Sequence, residues 1–315
     1  MIDKGAVLIT DDVHALFVAG LTAAGFSYDY LPDITDTEVR RVIGGYVGLV
    51  INSKIRVDAP MLDIAPKLKF VARLGSGMEI VDIPYATARG VAVLSSPEGN
   101  CNAVAEQAVG MLLALFQNLL VADRQVRGFD WRREANRGRE LAGSTVGIIG
   151  FGHTGSMFAR RLSGFDVRVL AHDKYLPSGY ASAFGYVTEV DADTVLREAD
   201  VVSLHLPLTP ETRHYLRAES FAICRDGVVV VNTSRGNCIK TIDLLSALRS
   251  NKVAGACLDV FENEKTATYS ETERAMYAQL YAMPQVILTP HIAGWTHESK
   301  ARLATVLLHK ILSVS

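Results

Sequence analysis

The chain has 315 residues and a formal net charge of −2, with 49% hydrophobic and 21% charged residues. This length suffices for two domains, and the composition is that of an ordinary globular protein rather than a disordered or fibrous one. The near-neutral charge excludes a global basic field, and no apolar run is long enough to cross a bilayer, so we expect neither nucleic acid nor a membrane as a partner.

The cysteines and the N-terminus indicate a cellular compartment. Cys101, Cys224, Cys238 and Cys257 are scattered and form no C-x-x-C pair, which disfavours disulfides and zinc and fits a reducing environment. The first five residues include an acid and lead into a predicted strand, unlike a secretory signal. We therefore expect a cytoplasmic protein with no metal site.

Strand and helix patterns alternate over the first hundred residues. Regular alternation of this kind predicts a parallel sheet covered on both faces, hence a small doubly wound domain. The predicted elements are strand 6–10, helix 12–24, strand 26–31, helix 36–43, strand 48–52, helix 59–64, strand 69–74, helix 83–89 and strand 91–94.

A Pro-Glu-Gly-Asn stretch at 97–100 predicts a break in the regular secondary structure, and a long apolar helix over 103–120 is predicted after it. The hydrophobic surface of this helix is broad, so it is either buried within the chain or packed against a partner. The later predicted elements are strand 146–149, a helix from Gly155, strand 167–171, helix 193–198, strand 201–204, helix 218–223, strand 228–232, helix 242–250, strand 253–259, strand 286–289 and helix 297–312.

These elements predict an α/β fold of two doubly wound parallel-sheet domains. The last helix is expected to return to the first domain. A Rossmann NAD-binding domain over 100–294 would then be inserted in a flavodoxin-like substrate domain made of 1–99 and 295–315.

A G-x-G-x-x-G motif lies between the strand at 146–149 and the next helix. Gly150 permits a tight turn, Gly152 lets the backbone approach a pyrophosphate, and Gly155 lets the helix pack on the strand. The helix N-terminus offers N–H groups to phosphate, and Asp173 at the end of the following strand can accept hydrogen bonds from a ribose 2′-OH. The negative charge of Asp173 favours NAD over NADP.

Polar residues follow several strands at the edge where ligands bind in open α/β sheets. His291 is the natural acid/base because imidazole titrates near neutral pH, and Glu264 can hold the imidazole and stabilise its charged form. Arg235 can clamp a carboxylate or polarise a carbonyl with its fork of donors. The backbone N–H groups of Gly75-Ser76-Gly77 can hold a second carboxylate oxygen.

Taken singly, each of these signals has an ordinary structural explanation. A lone Arg-Gly after a strand is usually a turn, a lone Pro-His is usually a capping or core histidine, and a glutamate near an aspartate usually lies in a solvated loop. For His205, after another strand, a structural role is favoured. The joint occurrence of the other residues at strand ends, downstream of the glycine motif, favours a catalytic site.

With these motifs the chain resembles the D-isomer-specific 2-hydroxyacid dehydrogenase family, and the resemblance is clear from about Lys69 onward. The motifs that carry the resemblance are Gly150-Phe-Gly-His-Thr-Gly155, His205-Leu-Pro-Leu-Thr209, Val231-Asn-Thr-Ser-Arg-Gly236, Leu258-Asp-Val-Phe-Glu-Asn-Glu264 and Thr289-Pro-His-Ile-Ala-Gly294. The resemblance implies oxidation or reduction between a D-2-hydroxy acid and its 2-oxo acid with NAD.

The same resemblance implies roles for individual residues. Arg235 would bind the substrate carboxylate and carbonyl, and His291, partnered by Glu264, would give its proton to the oxo group. The residues implied in cofactor binding are His153 and Thr154 at the pyrophosphate, Asp173 at the adenosine ribose, Asp259 at the nicotinamide carboxamide, and Ser76, Leu206, Pro207, Thr233 and Gly294 along the cofactor. Family members are usually dimers, which implies a homodimer through the 103–120 helix.

Within the family the chain is most similar to short phosphoglycerate dehydrogenases, so 3-phosphoglycerate is the candidate substrate, with Lys54 and Arg73 as candidate phosphate ligands. Met78-Glu79-Ile80 stands where the family often has Val-Asp-Asn, which puts that substrate in question. Lys265 replaces the usual proline after the glutamate, and a loop with helical content is expected after it. Alternatives are reduction of glyoxylate, hydroxypyruvate or another 2-oxo acid, or an NADH-sensing binding protein without turnover.

Overall fold

The computed structural model describes residues 4–314, which form two compact units. One unit comprises the chain up to Cys101 together with the chain from Trp295 onward, and the other is Asn102–Gly294. The strands are β1 (Ala6–Ile9), β2 (Ser27–Tyr30), β3 (Gly48–Ile51), β4 (Phe70–Arg73), β5 (Ala92–Ser95), β6 (Thr145–Ile149), β7 (Arg168–His172), β8 (Val187–Glu189), β9 (Val201–Leu204), β10 (Val228–Asn232), β11 (Val253–Leu258) and β12 (Val286–Leu288). The α-helices are α1 (Ala15–Ala23), α2 (Asp36–Val42), α3 (Ala59–Asp63), α4 (Ile83–Ala88), α5 (Pro97–Phe116), α6 (Leu119–Arg127), α7 (His153–Leu162), α8 (Ala192–Glu198), α9 (Ala218–Ile223), α10 (Thr241–Arg249), α11 (Glu271–Tyr281) and α12 (His297–Val314).

The first unit is built on a five-stranded, wholly parallel sheet in the order β2-β1-β3-β4-β5. Val7 and Ile9 of β1 belong to one buried cluster, and Leu8 between them belongs to another, as the alternation of side chains along a strand requires. Residues of α12 complete the cluster that contains Val7 and Ile9. The predicted parallel sheet is confirmed, and its strand order is the flavodoxin-like one.

The second unit holds a seven-stranded parallel sheet in the order β12-β11-β10-β9-β6-β7-β8. The first strand of this sheet along the chain is β6. The next strands, β7 and β8, extend the sheet to one side, and β9 then pairs with β6 on its other side. Strand order therefore reverses between β6 and β9, and this is the place in a doubly wound sheet where a dinucleotide binds. The predicted Rossmann-type sheet is confirmed.

The break predicted at 97–100 is wrong, because these residues form the first turn of α5. Proline is tolerated there, since the N–H groups of the first turn have no partner within the helix. The helix predicted over 103–120 ends at Phe116, and Asn118 then takes a left-handed conformation with φ of 52° before α6 begins. Asparagine adopts this conformation more readily than most residues.

The apolar breadth of α5 is explained by burial inside the second unit. Ala105, Ala108, Leu112 and Phe116 are at most 4% exposed and pack in the same cluster as the strands β6 and β7. No external partner is needed to cover these four side chains.

The segment after Glu264 is more regular than expected. It contains α11, whose first turn is closed by a capping box: Glu273 N–H donates to the Ser270 hydroxyl, and Ser270 N–H donates to the Glu273 carboxylate. The sequence prediction missed β8, which has only three residues, too few to show a period.

No single helix within residues 4–314 is long and apolar enough to cross a membrane; α5 and α6 reach that length and composition only as a pair bent by 62°. The same residues contain no group of three or more side chains arranged to hold a metal ion.

Candidate active site

The glycine loop joins β6 to α7 in the second unit. Gly150 has a φ of 90°, and a Cβ there would lie 2.5 Å from the carbonyl oxygen of His205. A Cβ at Gly155 would lie 2.0 Å from the oxygen of Gly150, so only glycine lets α7 pack this close to β6. A Cβ at Gly152 would meet nothing within 4 Å, which leaves open space beside the backbone. These placements fit a turn, a close packing contact and an approach for a ligand.

The first turn of α7 faces that open space with its backbone amides. His153 and Thr154 are its first two residues, and Gly152 before them has no side chain to cap them. The N–H groups of a first helical turn, together with the helix dipole, form an anion site. The glycine motif therefore leads into the start of a helix, as the sequence predicts, and the binding of phosphate there stays a prediction.

Asp173 follows directly after β7 and is tied to the glycine loop. Its Oδ2 accepts a hydrogen bond of 2.8 Å from Phe151 N–H, and its Oδ1 accepts bonds of 2.9 and 3.1 Å from the N–H groups of Tyr175 and Leu176. An ionised carboxylate has about four acceptor positions, so these three bonds leave capacity for a ribose hydroxyl. Asp173 therefore ties the end of β7 to the glycine loop.

Two buried polar atoms beside the loop have no hydrogen-bond partner within residues 4–314, namely Thr233 Oγ1 and His205 Nδ1. The other ring nitrogen of His205 lies 2.9 Å from the Ser203 hydroxyl, and burial lowers the pKa of His205 to about 3, so the ring is neutral. Buried polar groups normally have partners, and these two atoms therefore indicate a polar ligand next to them. The residues present fit a dinucleotide.

The remaining predicted cofactor residues lie in the same unit, apart from Ser76. Leu206 packs on the glycine loop, because a Cβ at Gly150 would lie 3.2 Å from its Cδ2. Pro207 follows in the exposed loop after β9, where its carbonyl accepts a 2.6 Å hydrogen bond from the Thr212 hydroxyl. Gly294 is the last residue of the unit.

The structure brings Glu264 and His291 into direct contact. His291 Nδ1 lies 2.9 Å from Glu264 Oε2, and the two side chains are 47% and 40% exposed. Both side chains of the pair are therefore partly accessible from the surroundings. This contact orients the ring and leaves Nε2 as the nitrogen available for proton transfer.

Glu264 is ionised in this setting. Burial of the carboxyl is the largest influence and raises its pKa, but the hydrogen bond and charge of His291, the Phe261 N–H group and the charge of Arg235 together outweigh it. The pKa of Glu264 consequently lies below its usual value. The charge of Arg235 is the smallest of these influences and acts on the Glu264 carboxylate.

Arg235 is held by the turn that follows β10. Asn232 Nδ2 donates a 2.9 Å hydrogen bond to the Arg235 carbonyl, and the Arg235 guanidinium donates a 2.7 Å bond to the Ser234 carbonyl. A Cβ at Gly236 would lie 1.9 Å from the carbonyl carbon of Phe261, so this turn presses against the loop that leads to Glu264. Close backbone contact keeps the arginine beside the glutamate.

Asp259 anchors the loop that carries His291. The Asp259 carboxylate accepts bonds from the Thr289 hydroxyl at 2.5 Å and from the N–H groups of Ile292 and Ala293, both at 2.9 Å. The Asp259 carbonyl accepts a 2.7 Å bond from His291 N–H. His291 has a φ of 56°, a conformation that costs a non-glycine residue about 1–3 kcal/mol and persists only where surrounding contacts impose it.

Gln107 on α5 is a functional candidate that sequence reasoning missed. Its Nε2 donates to the Thr289 hydroxyl at 3.1 Å and lies 3.5 Å from Asp259 Oδ1. The signal that could have identified it is the one amide side chain in the apolar stretch of α5 from 103 to 116. Because its partners are far along the chain, that amide alone does not reveal what it binds.

In the first unit, β4 leads into the Gly75-Ser76-Gly77 loop. Gly75 has a φ of 153°, and its carbonyl accepts a 3.0 Å hydrogen bond from Ser96 N–H. Ser76 is exposed and Gly77 is buried. The loop therefore presents its middle residue to the surroundings.

The two candidate phosphate ligands of the first unit are engaged by the protein itself. Arg73 Nε donates a 2.8 Å hydrogen bond to the Asn52 carbonyl, and its Nη1 lies 3.8 Å from a Glu79 carboxylate oxygen. Lys54 lies past the end of β3 and donates to the Pro32 carbonyl. Both cations belong to local contacts, and the charge of Arg73 is partly compensated by Glu79.

Comparisons with known proteins agree with this geometry. A family model described as D-isomer specific 2-hydroxyacid dehydrogenase, NAD binding domain, matches residues 109–293. The chain is 36% identical over 274 residues to a hydroxypyruvate reductase of Thermotoga maritima, a match that covers 87% of this chain and 86% of that protein.

A second relative is longer. The chain is 38% identical over 257 residues to D-3-phosphoglycerate dehydrogenase of Mycobacterium leprae, covering 82% of this chain but 47% of that protein, so it matches only about half of that relative's length. Among solved structures, a D-lactate dehydrogenase from Aquifex aeolicus complexed with NAD and lactic acid superimposes with a TM-score of 0.82, at 25% identity and with 98% of this chain and 94% of that chain covered.

Proposed function

The chain belongs to the D-isomer-specific 2-hydroxyacid dehydrogenase family, and we propose that it interconverts a D-2-hydroxy acid and its 2-oxo acid, with His291 as the acid/base. The observation that carries the proposal is the 2.9 Å contact between His291 and the ionised Glu264, coupled to Arg235 in the unit that holds the glycine loop. NAD, when bound, supplies or accepts the hydride.

The protein side chains would manage the substrate and its proton. Arg235 presents two or more N–H donors in a fixed fork, which suits a carboxylate and the adjacent carbonyl oxygen. In the reducing direction His291 would donate its Nε2 proton to the oxygen of the oxo group, while Glu264 stabilises the charged imidazole before transfer. The reverse sequence applies to oxidation. We assign the second carboxylate contact to the backbone of Gly75-Ser76-Gly77.

For the cofactor, we assign the pyrophosphate to Gly152, His153 and Thr154 and the adenosine ribose to Asp173. The unpartnered Thr233 hydroxyl supports its assignment to the cofactor. Asp259 has a nearly complete set of donors, but its Oδ2 accepts only the bond from Ala293 among the described contacts, which leaves an acceptor position for a nicotinamide carboxamide.

For the substrate, we propose 3-phosphoglycerate as the first candidate, supported by the likeness to relatives named D-3-phosphoglycerate dehydrogenase. A second candidate is an unphosphorylated acid such as glyoxylate or hydroxypyruvate. It is supported by the contacts of Arg73 and Lys54, because a cation already bonded to a carbonyl or a carboxylate must exchange that partner to bind phosphate.

The experiment is NADH oxidation with phosphohydroxypyruvate, hydroxypyruvate, glyoxylate, pyruvate and 2-oxoglutarate, for the wild type and for His291→Ala. His309→Ala is the control, because His309 is an exposed histidine on α12. We expect turnover of at least one acid, lost in His291→Ala and kept in His309→Ala. NADH binding without turnover of any of them would contradict the proposal and favour a binding protein.

The substrate preference is tested separately with Glu79→Gln, which removes the negative charge beside Arg73. If the pair with Glu79 limits phosphate binding, kcat/KM for phosphohydroxypyruvate should rise relative to that for hydroxypyruvate. If the wild type prefers phosphohydroxypyruvate and Glu79→Gln does not change that preference, 3-phosphoglycerate is left as the sole candidate.

We also propose a homodimer, with an interface that includes the end of the predicted 103–120 helix and the segment after it. The support is a run of exposed apolar side chains, which monomers rarely display together. These side chains are Leu119, Leu120, Val126, Phe129 and Trp131, exposed by 49–100%. Sedimentation of the wild type and of Phe129→Asp tests this: a dimer that the substitution dissociates is expected, and a wild-type monomer would refute it.

A cytoplasmic location remains part of the proposal. Its support is that all four cysteines are buried and free, as in proteins of reducing compartments.

A further inference from the structure

The segment that follows Glu264 packs around Asn263, the residue that precedes Glu264. Asn263 N–H donates a 3.1 Å hydrogen bond to the Tyr277 hydroxyl, and the Asn263 carbonyl accepts a 3.1 Å bond from the Tyr269 hydroxyl. Both backbone polar groups of one residue are thus held by tyrosines that belong to α11 and to the turn before it. We call Asn263, Tyr269 and Tyr277 the tyrosine clamp.

The Asn263 side chain adds further contacts to the clamp. Its Nδ2 donates to Glu273 Oε1 at 3.2 Å, and its Oδ1 accepts a 3.0 Å bond from Lys265 N–H. Glu273 uses its other oxygen to cap α11 at Ser270. One carboxylate therefore joins the start of α11 to the loop that carries Glu264.

The tyrosines themselves are fixed by packing. Tyr277 is 1% exposed, and its ring stacks on Tyr269 at 4.7 Å and on Tyr281 at 5.5 Å. Phe261 meets the Tyr277 ring edge-on at 6.2 Å, and its own N–H group lies 3.4 Å from Glu264 Oε1. Phe261 and Asn263, which both precede Glu264 in the chain, therefore contact the same buried tyrosine. Burial raises the pKa of Tyr277, so its hydroxyl stays neutral at working pH.

From this arrangement we infer that the tyrosine clamp positions Glu264 against His291, and that Tyr269 and Tyr277 are positioning residues for proton transfer. Glu264 is 40% exposed and lies in a loop that would otherwise be free to move. A displacement of about 1 Å at a catalytic group can lower the rate by about a hundredfold, so a device that holds this carboxylate has a direct kinetic effect. The inference rests on the proposed function, because it assigns Glu264 a part in the reaction.

The variants are Tyr269→Phe, Tyr277→Phe and the double variant, each of which keeps the ring stack and removes only a hydroxyl. Tyr281→Phe is the matched control, because its ring belongs to the same stack and its hydroxyl meets only the Tyr269 hydroxyl, at 3.2 Å, among the described contacts. Melting temperatures of all variants show whether the fold is intact.

Hydrogen exchange of the peptide that covers 261–268 gives a readout that needs no turnover. We expect the exchange of this peptide to be about tenfold faster in Tyr277→Phe and in the double variant, and unchanged in Tyr281→Phe. Equal exchange rates in all variants would overturn the clamp itself, whatever the wild type catalyses.

Kinetics then test the effect on the reaction. The single variants should lose about fivefold in kcat and the double variant about thirtyfold, as expected for the loss of one or two ordinary hydrogen bonds. The KM for NADH should stay within about twofold, and the low-pH side of the activity profile and the solvent isotope effect on kcat should change because proton transfer becomes slower.

The outcomes separate the two proposals. A wild type that turns over none of the acids contradicts the proposed function and, with it, the kinetic role of the clamp, even if exchange shows the clamp to exist. If the wild type is active and the double variant has the same kcat and pH profile as Tyr281→Phe, the inference is overturned and the proposed function remains intact.

Discussion

Asp259→Asn tests whether the strained backbone of His291 is held by the carboxylate beneath it. The carboxylate is fully buried and accepts three close bonds, two at Oδ1 and one at Oδ2. The asparagine oxygen would take the Oδ1 position, where there are more donors. Its NH₂ group would then face the Ala293 N–H group, which is 2.9 Å from Oδ2 and is itself a donor.

The size of the effect follows from these contacts. One charge-assisted hydrogen bond, worth about 1.5–3 kcal/mol, is lost, and the two at the remaining oxygen weaken because their acceptor becomes neutral. We therefore expect a loss of about 2–4 kcal/mol in the free energy that holds the loop. The left-handed conformation of His291 costs about 1–3 kcal/mol, so a relaxed backbone becomes competitive once the anchor is weakened. A shift of 2 kcal/mol corresponds to about a thirtyfold fall in kcat.

The assay pairs kcat for the preferred 2-oxo acid with the Kd of NADH from fluorescence titration. We expect kcat to fall by about thirtyfold, whereas the Kd should rise by no more than about tenfold, the effect of losing the one carboxamide bond proposed at Oδ2. Asp226→Asn is the control for removal of a charge, since Asp226 is 91% exposed in the same unit. A normal kcat would refute the reasoning whatever the Kd, because the loop that carries His291 would then not depend on the carboxylate.

Substitutions at the glutamate and at the glycine loop test the remaining geometry. Because the pKa of Glu264 lies below its usual 4.5, the ionised form stabilises the fold above that pH and loses this contribution as pH falls through the lower folded-state value. Glu264→Gln should therefore unfold at lower urea than the wild type at neutral pH, with a difference that shrinks well below pH 4.5; a pH-independent difference would contradict this. Asp173→Ser removes the charge and the acceptor of the Phe151 amide, so the NAD to NADP ratio of kcat/KM should fall by at least about tenfold, and an unchanged ratio would show that Asp173 does not select the cofactor. Gly155→Ala places a Cβ 2.0 Å from the Gly150 oxygen, which should cost about 1–3 kcal/mol of stability and weaken NADH binding, whereas wild-type values of both would contradict the packing role.

The sequence predicts well what depends on local runs of residues. The β-branched runs that form β6 and β10 are buried strands, and parallel strands bring their carboxyl ends to one edge. This arrangement is why the sequence alone pairs Glu264 with His291. The glycine spacing likewise follows from steric demands at three backbone positions.

What the sequence does not predict depends on single conformations or on distant partners. One left-handed residue, Asn118, divides the expected long helix into α5 and α6. The candidate phosphate ligand Lys54 follows β3, which ends at Ile51, and it donates to the Pro32 carbonyl, a partner that no local pattern indicates. The contact between Gln107 and Thr289 joins residues 182 positions apart, and no local pattern encodes such a pairing.

The return of α12 to the first unit has a consequence for the order of synthesis. Ala304, Leu307 and Ile311 of α12 complete the cluster around β1. Helices α1 and α12 pack so closely that a Cβ at Gly20 would lie 2.0 Å from a Leu308 methyl group. While the ribosome makes the second unit, one apolar face of the N-terminal sheet has only part of its cover, from residues such as Phe17 and Leu21. The inserted unit can fold during this interval, but the N-terminal half must remain incomplete and exposed to aggregation or chaperones until α12 emerges.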